Sequence, residues 1–410
     1  MDRYRFQWHV VFLMILAWSF GGLIHNCLAF LFPYLAEEFH LGMEFNGYFL
    51  GTLSLFWTLS MLFFGRIVQK YGQMKFIMLS LAVGTVAYTV LGVAPNVPVI
   101  FFAVALLGFG GGILVPSSLS FLSEQTAPEK RGLVFGLSGA SFTLVGSAGG
   151  SYFFTKMGDS LVGWRGCFEG LAVLSVLLLV IFVLFQKGIF RGALDKHPDA
   201  QEAVEQVKFR EIFSYKNMKL TTLLTVFAMG WYFTVTAFTI LYLVHAKEYS
   251  VIAAGAVFAG FGLGGFIGEF GLTLLSDYLG RKRTAVLSAC LGTCCFALFV
   301  FVDMPQLLMT FGIGAASFFM SGLMAILNSV VPSEAVPAEK VSMATSVTPA
   351  AGELVGGVVA PVLAGILSNA VGVNEVMYGL VFFPIAVIVG AMFLKETAPR
   401  VVARNQAMSK

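Results

Sequence analysis

Two glutamates lie inside long apolar stretches, Glu353 near the middle of one and Glu269 toward the end of another. If such a stretch spans a membrane, inserting an ionisable side chain costs about 2.5–3.5 kcal/mol, so its presence indicates a function. A carboxyl group in a low dielectric can keep its proton at neutral pH. We therefore predict that Glu353 and Glu269 couple a process to protons. The alternatives are a cation ligand or a hydrogen bond between helices for Glu353, and a brace for the loop around Asp277 for Glu269.

Two further pairs of residues are candidates for binding a small molecule. His25-Asn26 and Trp231-Tyr232 each lie well inside an apolar stretch. Histidine titrates near neutral pH, asparagine offers a donor and an acceptor, and large aromatic rings can wall a cavity. Bonding between helices and plain packing are the structural alternatives. We predict that these four residues and Glu353 bind substrate. An organic acid is expected only if His25 supplies positive charge or the acid enters protonated.

The sequence offers no residues for enzymatic chemistry. It contains no nucleophile–base set, nucleotide-binding loop or metal-ligand cluster, so we predict no catalytic residue, no metal site and no cofactor. The five cysteines lie in apolar stretches without paired or metal-ligand spacing, as is typical of small buried side chains. The net charge of +3 is small, and nucleic acid is not expected as a partner.

Composition and hydropathy indicate a membrane protein. Hydrophobic residues make up 58% of the 410 residues and charged residues only 11%, too few to cover a soluble core of this size. A helix that crosses a bilayer needs about 20 apolar residues. The sequence therefore predicts an all-α integral membrane protein with twelve transmembrane helices, six on each side of a polar interval, at 8–35, 45–68, 75–93, 97–123, 132–157, 164–186, 218–246, 251–276, 283–302, 305–331, 341–370 and 375–395.

Lys and Arg residues are distributed unevenly between alternate loops. If both termini share one side, all but three of the 25 Lys and Arg residues lie on that side, and the exceptions are Lys156, Arg165 and Lys247. Because positive residues favour the cytoplasmic side in short loops, both termini are predicted to be cytoplasmic, in an inner membrane. Arg165 and Glu169 open the sixth span and are expected to pair with each other.

The two sets of six helices repeat each other at a nearly constant spacing. Gly72 is matched by Gly280, 208 residues later, and Gly149-Gly150 by Gly356-Gly357 at an offset of 207. Parallel repeats of this kind place a substrate site between the halves, near the middle of the membrane. The matches predict that a six-helix unit has been duplicated. The chain then consists of a first six-helix bundle at 1–187, a central cytoplasmic linker at 188–217 and a second six-helix bundle at 218–410.

Two loops at corresponding places of the repeat carry glycines and basic residues. Glycine permits a tight turn, and basic residues hold such a loop on the cytoplasmic side, where an aspartate can pair with them. Both loops resemble the signature of the major facilitator superfamily, although Gln69 replaces its aspartate in the first half and Thr273 and Tyr278 replace two of its residues in the second. The resemblance implies that the loops form a gate, and the residues predicted to form these gate loops are Gly65 and Gly72 in the first half and Asp277, Gly280, Arg281 and Arg283 in the second.

The resemblance implies the major facilitator fold and a secondary transporter that exposes a central site to one side at a time. We expect a small organic metabolite, with an organic acid as first candidate, moved in symport with a proton by a protein that is monomeric in the lipid bilayer. The run Gly146–Gly150 lacks the proline of drug antiporters, which disfavours export. Two alternatives stay open: efflux of hydrophobic or cationic compounds, and a non-transporting receptor or assembly factor on the same scaffold.

Overall fold

A computed structural model of the chain describes residues 8–125, 128–189, 209–337 and 340–408, and within these ranges the regular structure is helical. The first six long helices are α1 (Trp8–Phe39), α2 (Glu44–Tyr71), α3 (Gln73–Gly92), α4 (Val97–Gln125), α5 (Pro128–Thr143, continued by Leu144–Gly149 and Gly150–Gly158) and α6 (Gly163–Ile189). The next six are α7 (Lys216–His245), α8 (Val251–Leu279), α9 (Arg281–Phe301), α10 (Gln306–Ala325, continued by Ile326–Val330 and Val331–Ala335), α11 (Val341–Ala351, continued by Gly352–Val359 and Ala360–Val371) and α12 (Val373–Gly379 and Phe382–Ala391). Two shorter helices lie before α7 and after α12, at Phe209–Ile212 and at α13 (Pro399–Met408).

Within the described ranges, eleven helices are long and apolar enough to cross a membrane, by length and composition. They are the ten long helices other than α5 and α12, together with α12, whose two parts form a single apolar span. The all-α membrane fold predicted from the sequence is thereby confirmed. The predicted count of twelve is not fully confirmed: eleven helices of the described residues qualify, and α5 lies where the fifth predicted span was placed.

The helices lie close to the ranges predicted from hydropathy, with ends that differ by a few residues. The predicted linker at 188–217 is shorter at both ends. Its first two residues belong to α6 and its last two to α7, which begins at Lys216. Residues 190–208, most of that linker, lie outside the described residues.

The repeat seen in the sequence has the same backbone geometry in both halves. Gly72 connects α2 to α3 with φ +96°, and Gly280 connects α8 to α9 with φ +100°. A residue with a side chain rarely adopts this conformation, so both turns depend on glycine. The end of the bundle that carries these two turns is called the basic end, and the opposite end is called the far end. A second match joins α5 and α11, which both contain π-helical turns, at Leu144–Gly149 and Gly352–Val359.

The two halves meet through α1 against α7, α2 against α11 and α5 against α8. Near the far end the backbones approach closely because glycines lie at the contacts. Gly47 of α2 lies against the carbonyl of Pro361 in α11, and a Cβ atom at Gly255 of α8 would lie 2.7 Å from the carbonyl oxygen of Ser151 in α5. These contacts close the far end between the halves.

The ion pair expected between Arg165 and Glu169 is wrong. Nη2 of Arg165 lies 2.5 Å from Oε1 of Glu38, and Nη1 donates to the carbonyl of Ala94 at 3.0 Å. Glu38 also accepts a hydrogen bond from the Trp164 indole at 2.7 Å. The pair therefore joins α1 to α6 across the far end, because the long guanidinium side chain reaches a carboxylate on a neighbouring helix.

Candidate functional site

The interface between the halves brings a histidine and a glutamate together. His25 lies near the middle of α1 and Glu353 in the π-helical turn of α11, and both are almost fully buried, at 5% and 8% exposure. Nε2 of His25 lies 3.5 Å from Oε1 of Glu353. A charge pair therefore joins the two halves whenever His25 carries a second proton and Glu353 carries none.

Neither of these two atoms makes a hydrogen bond to any residue that the structure describes. Nε2 of His25 and Oε1 of Glu353 are both buried polar atoms without such a partner, so their 3.5 Å contact is electrostatic. A buried polar atom left without a hydrogen bond costs about 1–3 kcal/mol. The pair thus has unused capacity to bind a proton or a polar group of a ligand.

Three aromatic rings surround the imidazole of His25. The ring of Phe233 in α7 stacks on it at 4.9 Å between centroids, with 27° between the planes. Trp57 of α2 meets it edge-on at 5.4 Å, and Phe142 of α5 lies at 6.1 Å with a tilted ring. We call Trp57, Phe142 and Phe233 the aromatic box. Two of its rings come from the first half and one from the second, so its shape depends on how the halves are oriented.

A row of polar side chains leads from His25 toward the basic end. Nδ1 of His25 lies 3.4 Å from Oδ1 of Asn26, and the Asn26 amide donates to the Ser147 hydroxyl at 3.2 Å. One turn nearer the basic end, the Thr143 hydroxyl donates to Oε1 of Glu269 at 3.0 Å. The row crosses from α1 through α5 to α8. The carboxylates of Glu353 and Glu269, which are predicted to couple protons, therefore lie at the same interface.

Tyr232 of α7 closes this row from the second half. Its side chain faces Ser147 and Thr143 of α5, and it lies near enough to Glu269 and Glu353 to interact electrostatically with both. The predicted residues His25, Asn26, Tyr232, Glu269 and Glu353 are therefore brought together. A phenol can donate and accept a hydrogen bond, so Tyr232 can bond to the two hydroxyl groups that it faces.

Trp231, the neighbour of Tyr232, lies elsewhere. It is fully buried, and its indole packs against Phe296 at 5.1 Å and Phe261 at 6.1 Å in the core of the second half. Successive residues of a helix point about 100° apart, so the two members of this pair cannot face the same surface. Trp231 stabilises the second bundle, and we leave it out of the proposed site.

Sequence reasoning missed Phe142, Thr143, Ser147 and Phe233. Phe233 carried a usable signal, because it follows His25 by 208 residues, the offset between Gly72 and Gly280. The repeat partners of the two halves therefore stack on each other at the interface. Thr143 and Ser147 carried only a weak signal, a hydroxyl pair four residues apart beside a run of small residues.

The wider turns in α5 and α11 position the polar residues of the site. A π-helical turn contains one residue more than an α-helical turn, which shifts the side chains that follow, and such turns are frequent at functional sites. One of them contains Ser147 and the other contains Glu353. Beside the second, a Cβ atom at Gly356 would lie 2.6 Å from the amide nitrogen of Gly230, so this glycine lets α7 and α11 touch.

The gate loop of the second half is held by a buried arginine. Arg281 is 5% exposed, and its Nη2 lies 2.5 Å from Oδ1 of Asp277 and 2.9 Å from Oε1 of Glu334. Glu396, from the segment before α13, accepts hydrogen bonds from the backbone amides of Arg281 at 2.7 Å and Lys282 at 3.3 Å. A carboxylate at the N-terminus of α9 also interacts favourably with the helix dipole. The loop is therefore tied to α10 and to the C-terminal segment.

The other predicted gate residues differ in how they are held. Gly280 and Gly72 form the two turns with positive φ described above. Gly65 lies inside α2, and a Cβ atom there would meet no other atom within 4 Å. Arg283 is exposed at the basic end. Gly65 and Arg283 are thus not fixed by the contacts that hold Arg281.

An ion pair at the far end joins two loops of the second half. Lys247, between α7 and α8, pairs with Asp303, between α9 and α10. Burial lowers the pKa of Lys247, but hydrogen bonds to Asp303 and Tyr242 outweigh it, and the pKa lies above its ordinary value. Lys247 therefore stays charged at neutral pH. It lines a cavity of about 330 Å³ with Asp303, Tyr249, Met304 and neighbouring residues.

The part of the chain that the structure describes contains no group of three or more His, Cys, Asp and Glu side chains able to hold a metal ion. The chemistry of the interface therefore rests on the carboxyl groups of Glu353 and Glu269, the imidazole of His25 and their hydroxyl and amide neighbours.

Comparisons with known proteins agree on one family. A family model described as the Major Facilitator Superfamily matches residues 8–348, with a second match at 249–409. The chain is 22% identical to the gallate transporter of Pseudomonas putida over 362 residues, which cover 80% of this chain and 78% of that one. It is 24% identical to a putative niacin/nicotinamide transporter of Bacillus subtilis over 367 residues, or 86% of each chain.

Another relative matches only in part. The chain is 27% identical to multidrug resistance protein 3 of Bacillus subtilis over 124 residues, which cover 30% of this chain and 24% of the relative, so it spans about a quarter of that protein's length. Two solved structures of a bacterial homologue of the human lysosomal transporter Spinster, both inward-facing, have TM-scores of 0.77 and 0.79. Their sequence identities of 15% and 14%, with at least 94% of each chain covered, show the fold alone.

Proposed function

Since the chain belongs to the Major Facilitator Superfamily of membrane transporters, we propose that it carries a small organic metabolite across the inner membrane by alternating access. In this mechanism the two six-helix halves rock about a site between them, which opens to one side at a time. The site consists of His25, Asn26, Tyr232 and Glu353, with the aromatic box around them. The basic end faces the cytoplasm, and the direction of transport is uptake.

The observation that carries this proposal is the contact between His25 and Glu353. It is buried, it joins the two halves, and its two facing atoms have no hydrogen-bond partner among the described residues. A contact between halves must break when the site opens. Protonation of Glu353, or a ligand that satisfies either atom, changes the strength of that contact, and so can set when the halves separate.

Proton coupling is the second part of the proposal. The titratable groups that face the interface are His25 on α1, Tyr232 on α7, Glu269 on α8 and Glu353 on α11. In the proposed cycle Glu353 gains a proton when the site faces the more acidic side and releases it on the other side. Glu269 takes part through the hydroxyl of Thr143, which donates to its carboxylate.

Organic acids are the first candidates for the substrate. Gallate and niacin, named for two relatives that match most of the chain, both carry a carboxyl group. An acid that brings its own proton, or one bound while Glu353 is protonated, avoids repulsion from the carboxylates of the site. Symport of proton and acid therefore fits the charges at the interface.

The test is uptake by the purified protein in proteoliposomes. A panel of radiolabelled carboxylic acids is offered with and without an imposed gradient, alkaline inside. We expect a substrate whose initial uptake rate rises several-fold with the gradient and falls when a protonophore is added. Glu353→Gln should remove the response to the gradient, while Glu375→Gln, an exposed carboxylate at the far end, should keep it. Uptake that ignores the gradient, or that survives Glu353→Gln unchanged, contradicts proton coupling.

Efflux of hydrophobic or cationic compounds is the second candidate function. Two carboxyl groups beside aromatic rings suit a cation, and part of the chain is similar to a multidrug resistance protein. Expression in a drug-sensitive host separates the two functions. Resistance to lipophilic cations that depends on Glu353, without uptake of any carboxylic acid, would favour efflux.

A further inference from the structure

We infer that the transported molecule contains a single planar aromatic ring, which binds in the aromatic box against Phe233, where the imidazole of His25 now lies. The inference rests on the proposed function, because it assigns a chemical class to the substrate of that same site. It is carried by the arrangement of rings around His25 and by the two buried polar atoms beside them.

The aromatic box offers a surface that a saturated molecule would not use fully. Phe233 presents its face to the imidazole at 4.9 Å with nearly parallel planes, and Trp57 presents its edge at 5.4 Å. Offset stacking and edge-to-face contact are the two geometries that aromatic rings prefer. A planar ring at this position would make both contacts at once, and a puckered ring would make neither.

The imidazole shows that a planar ring can lie between the three rings of the box. It is a five-membered ring held between Phe233, Trp57 and Phe142, and it is only 5% exposed. Phe142 and Phe233 are themselves partly exposed, so the box is open beside the imidazole. Rotation about the χ1 bond of His25 is the motion by which the imidazole would leave this space when the ring binds.

The polar neighbours favour a ring that carries one hydrogen-bonding substituent. Oε1 of Glu353 accepts a bond from a donor, and Nε2 of His25 can accept or donate according to its protonation. Both atoms lack a partner in the described residues, and Oε1 of Glu353 lies 3.5 Å from Nε2 of the imidazole that the ring would replace. A substituent that bonds to either atom would satisfy a buried group while it breaks the contact between the halves. Ring binding and opening of the site are thereby linked.

The experiment compares rings that differ only in planarity. Dissociation constants are measured by thermal-shift titration of the purified full-length protein with benzoate against cyclohexanecarboxylate, and with benzamide against cyclohexanecarboxamide. Since an aromatic contact contributes 0.5–1.5 kcal/mol beyond burial, each aromatic face should favour the planar ring by roughly 2- to 10-fold. We expect the planar member to bind more tightly in at least one pair.

Variants of single residues show which side chain causes the preference for planar rings. Phe233→Leu keeps an apolar side chain and should reduce the planar-to-saturated ratio toward one, whereas Phe233→Tyr should keep it. His25→Ala leaves the box intact and should keep the preference as well. The matched control is Phe382→Leu, since Phe382 is 72% exposed in α12 and should not affect the ratio. If Phe233→Leu does not fold, the inference is tested by the planar-to-saturated binding ratios of the wild-type, Phe233→Tyr and His25→Ala proteins.

Equal binding of planar and saturated rings, no binding of any of the four compounds, or a preference unchanged in Phe233→Leu would overturn the inference. Its failure is distinguishable from failure of the proposed function. A substrate without a ring whose uptake follows the pH gradient would leave the transporter proposal standing and remove only the aromatic class. Binding of planar rings without transport of any of them would support the aromatic class and contradict the transporter proposal.

Discussion

At the scale of single residues, the contact between His25 and Glu353 makes the two side chains depend on each other. Removing one partner leaves the other buried without compensation, whereas removing both takes away the unpaired group as well. We expect His25→Asn and Glu353→Gln each to lower the thermal unfolding midpoint of the purified protein. The double variant should lose less stability than the two single variants combined. The difference, which is the coupling energy of the two side chains, should be about 0.5–3 kcal/mol.

The control for this cycle is His40→Asn. His40 lies in the loop after α1 with φ +51°, a conformation that asparagine tolerates well, and it should have no coupling to Glu353. Strict additivity of His25→Asn and Glu353→Gln would show that the 3.5 Å contact contributes nothing to the bond between the halves.

Which residues belong to the site could be predicted only in part. Glu353 and His25 were identified because an ionisable residue in an apolar stretch stands out by its cost. Tyr232 and Trp231 could not be separated, because adjacent aromatic residues look alike without knowledge of which helix face meets the other half. Phe233 could have been identified only through the repeat, as the residue 208 positions after His25, because a phenylalanine in an apolar helix has no other distinguishing feature.

At the scale of elements, the two gate-loop glycines predicted for the first half have different roles. Gly72 has φ +96° between α2 and α3, so a side chain there is strained by about 1–3 kcal/mol. Gly65 lies within α2 with open space around its Cα atom, where alanine is favoured over glycine by roughly 0.8–1.0 kcal/mol. We expect Gly72→Ala to lower the thermal unfolding midpoint and Gly65→Ala to leave it unchanged or raise it.

Gly280→Ala serves as the comparison in the second half. Its φ of +100° imposes the same strain, and a Cβ atom there would also meet the Glu396 side chain. The thermal unfolding midpoint should therefore fall at least as far in Gly280→Ala as in Gly72→Ala. Equal effects of Gly65→Ala and Gly72→Ala would mean that the turn can rearrange and that positive φ is not required.

The elements themselves were largely predictable, because twenty-residue apolar stretches have few alternatives to a spanning helix. The π-helical turns were not. Whether Gly352–Val359 winds as an α-helix or a π-helix depends on a small difference in backbone hydrogen bonding, which packing against α7 and α2 decides. These turns contain Glu353 and Ser147, so the detail that hydropathy could not reveal is the one that positions the site.

At the scale of the whole molecule, the duplication has been used asymmetrically. His25 and Phe233 are repeat partners by their 208-residue spacing, yet one supplies a titratable imidazole and the other an apolar ring. The gate loops differ in the same way, since Asp277 pairs with Arg281 in the second half whereas the first half has Gln69 at the corresponding place. Residues at equivalent places of the repeat therefore contribute different chemistry to the two halves.

The orientation of the molecule follows from its charge distribution. Because positive loops favour the cytoplasm, the basic end should face inward and the far end outward. Leu161, fully exposed in the loop between α5 and α6 at the far end, and Arg283, exposed at the basic end, provide matched labelling positions. In intact cells a membrane-impermeant maleimide should label Leu161→Cys, and Arg283→Cys only after permeabilisation. The parent protein measures the background from its native cysteines, of which Cys294 is exposed. The reverse pattern would place the gate loops outside, and a gradient-driven cycle of uptake would then have to run in the opposite direction.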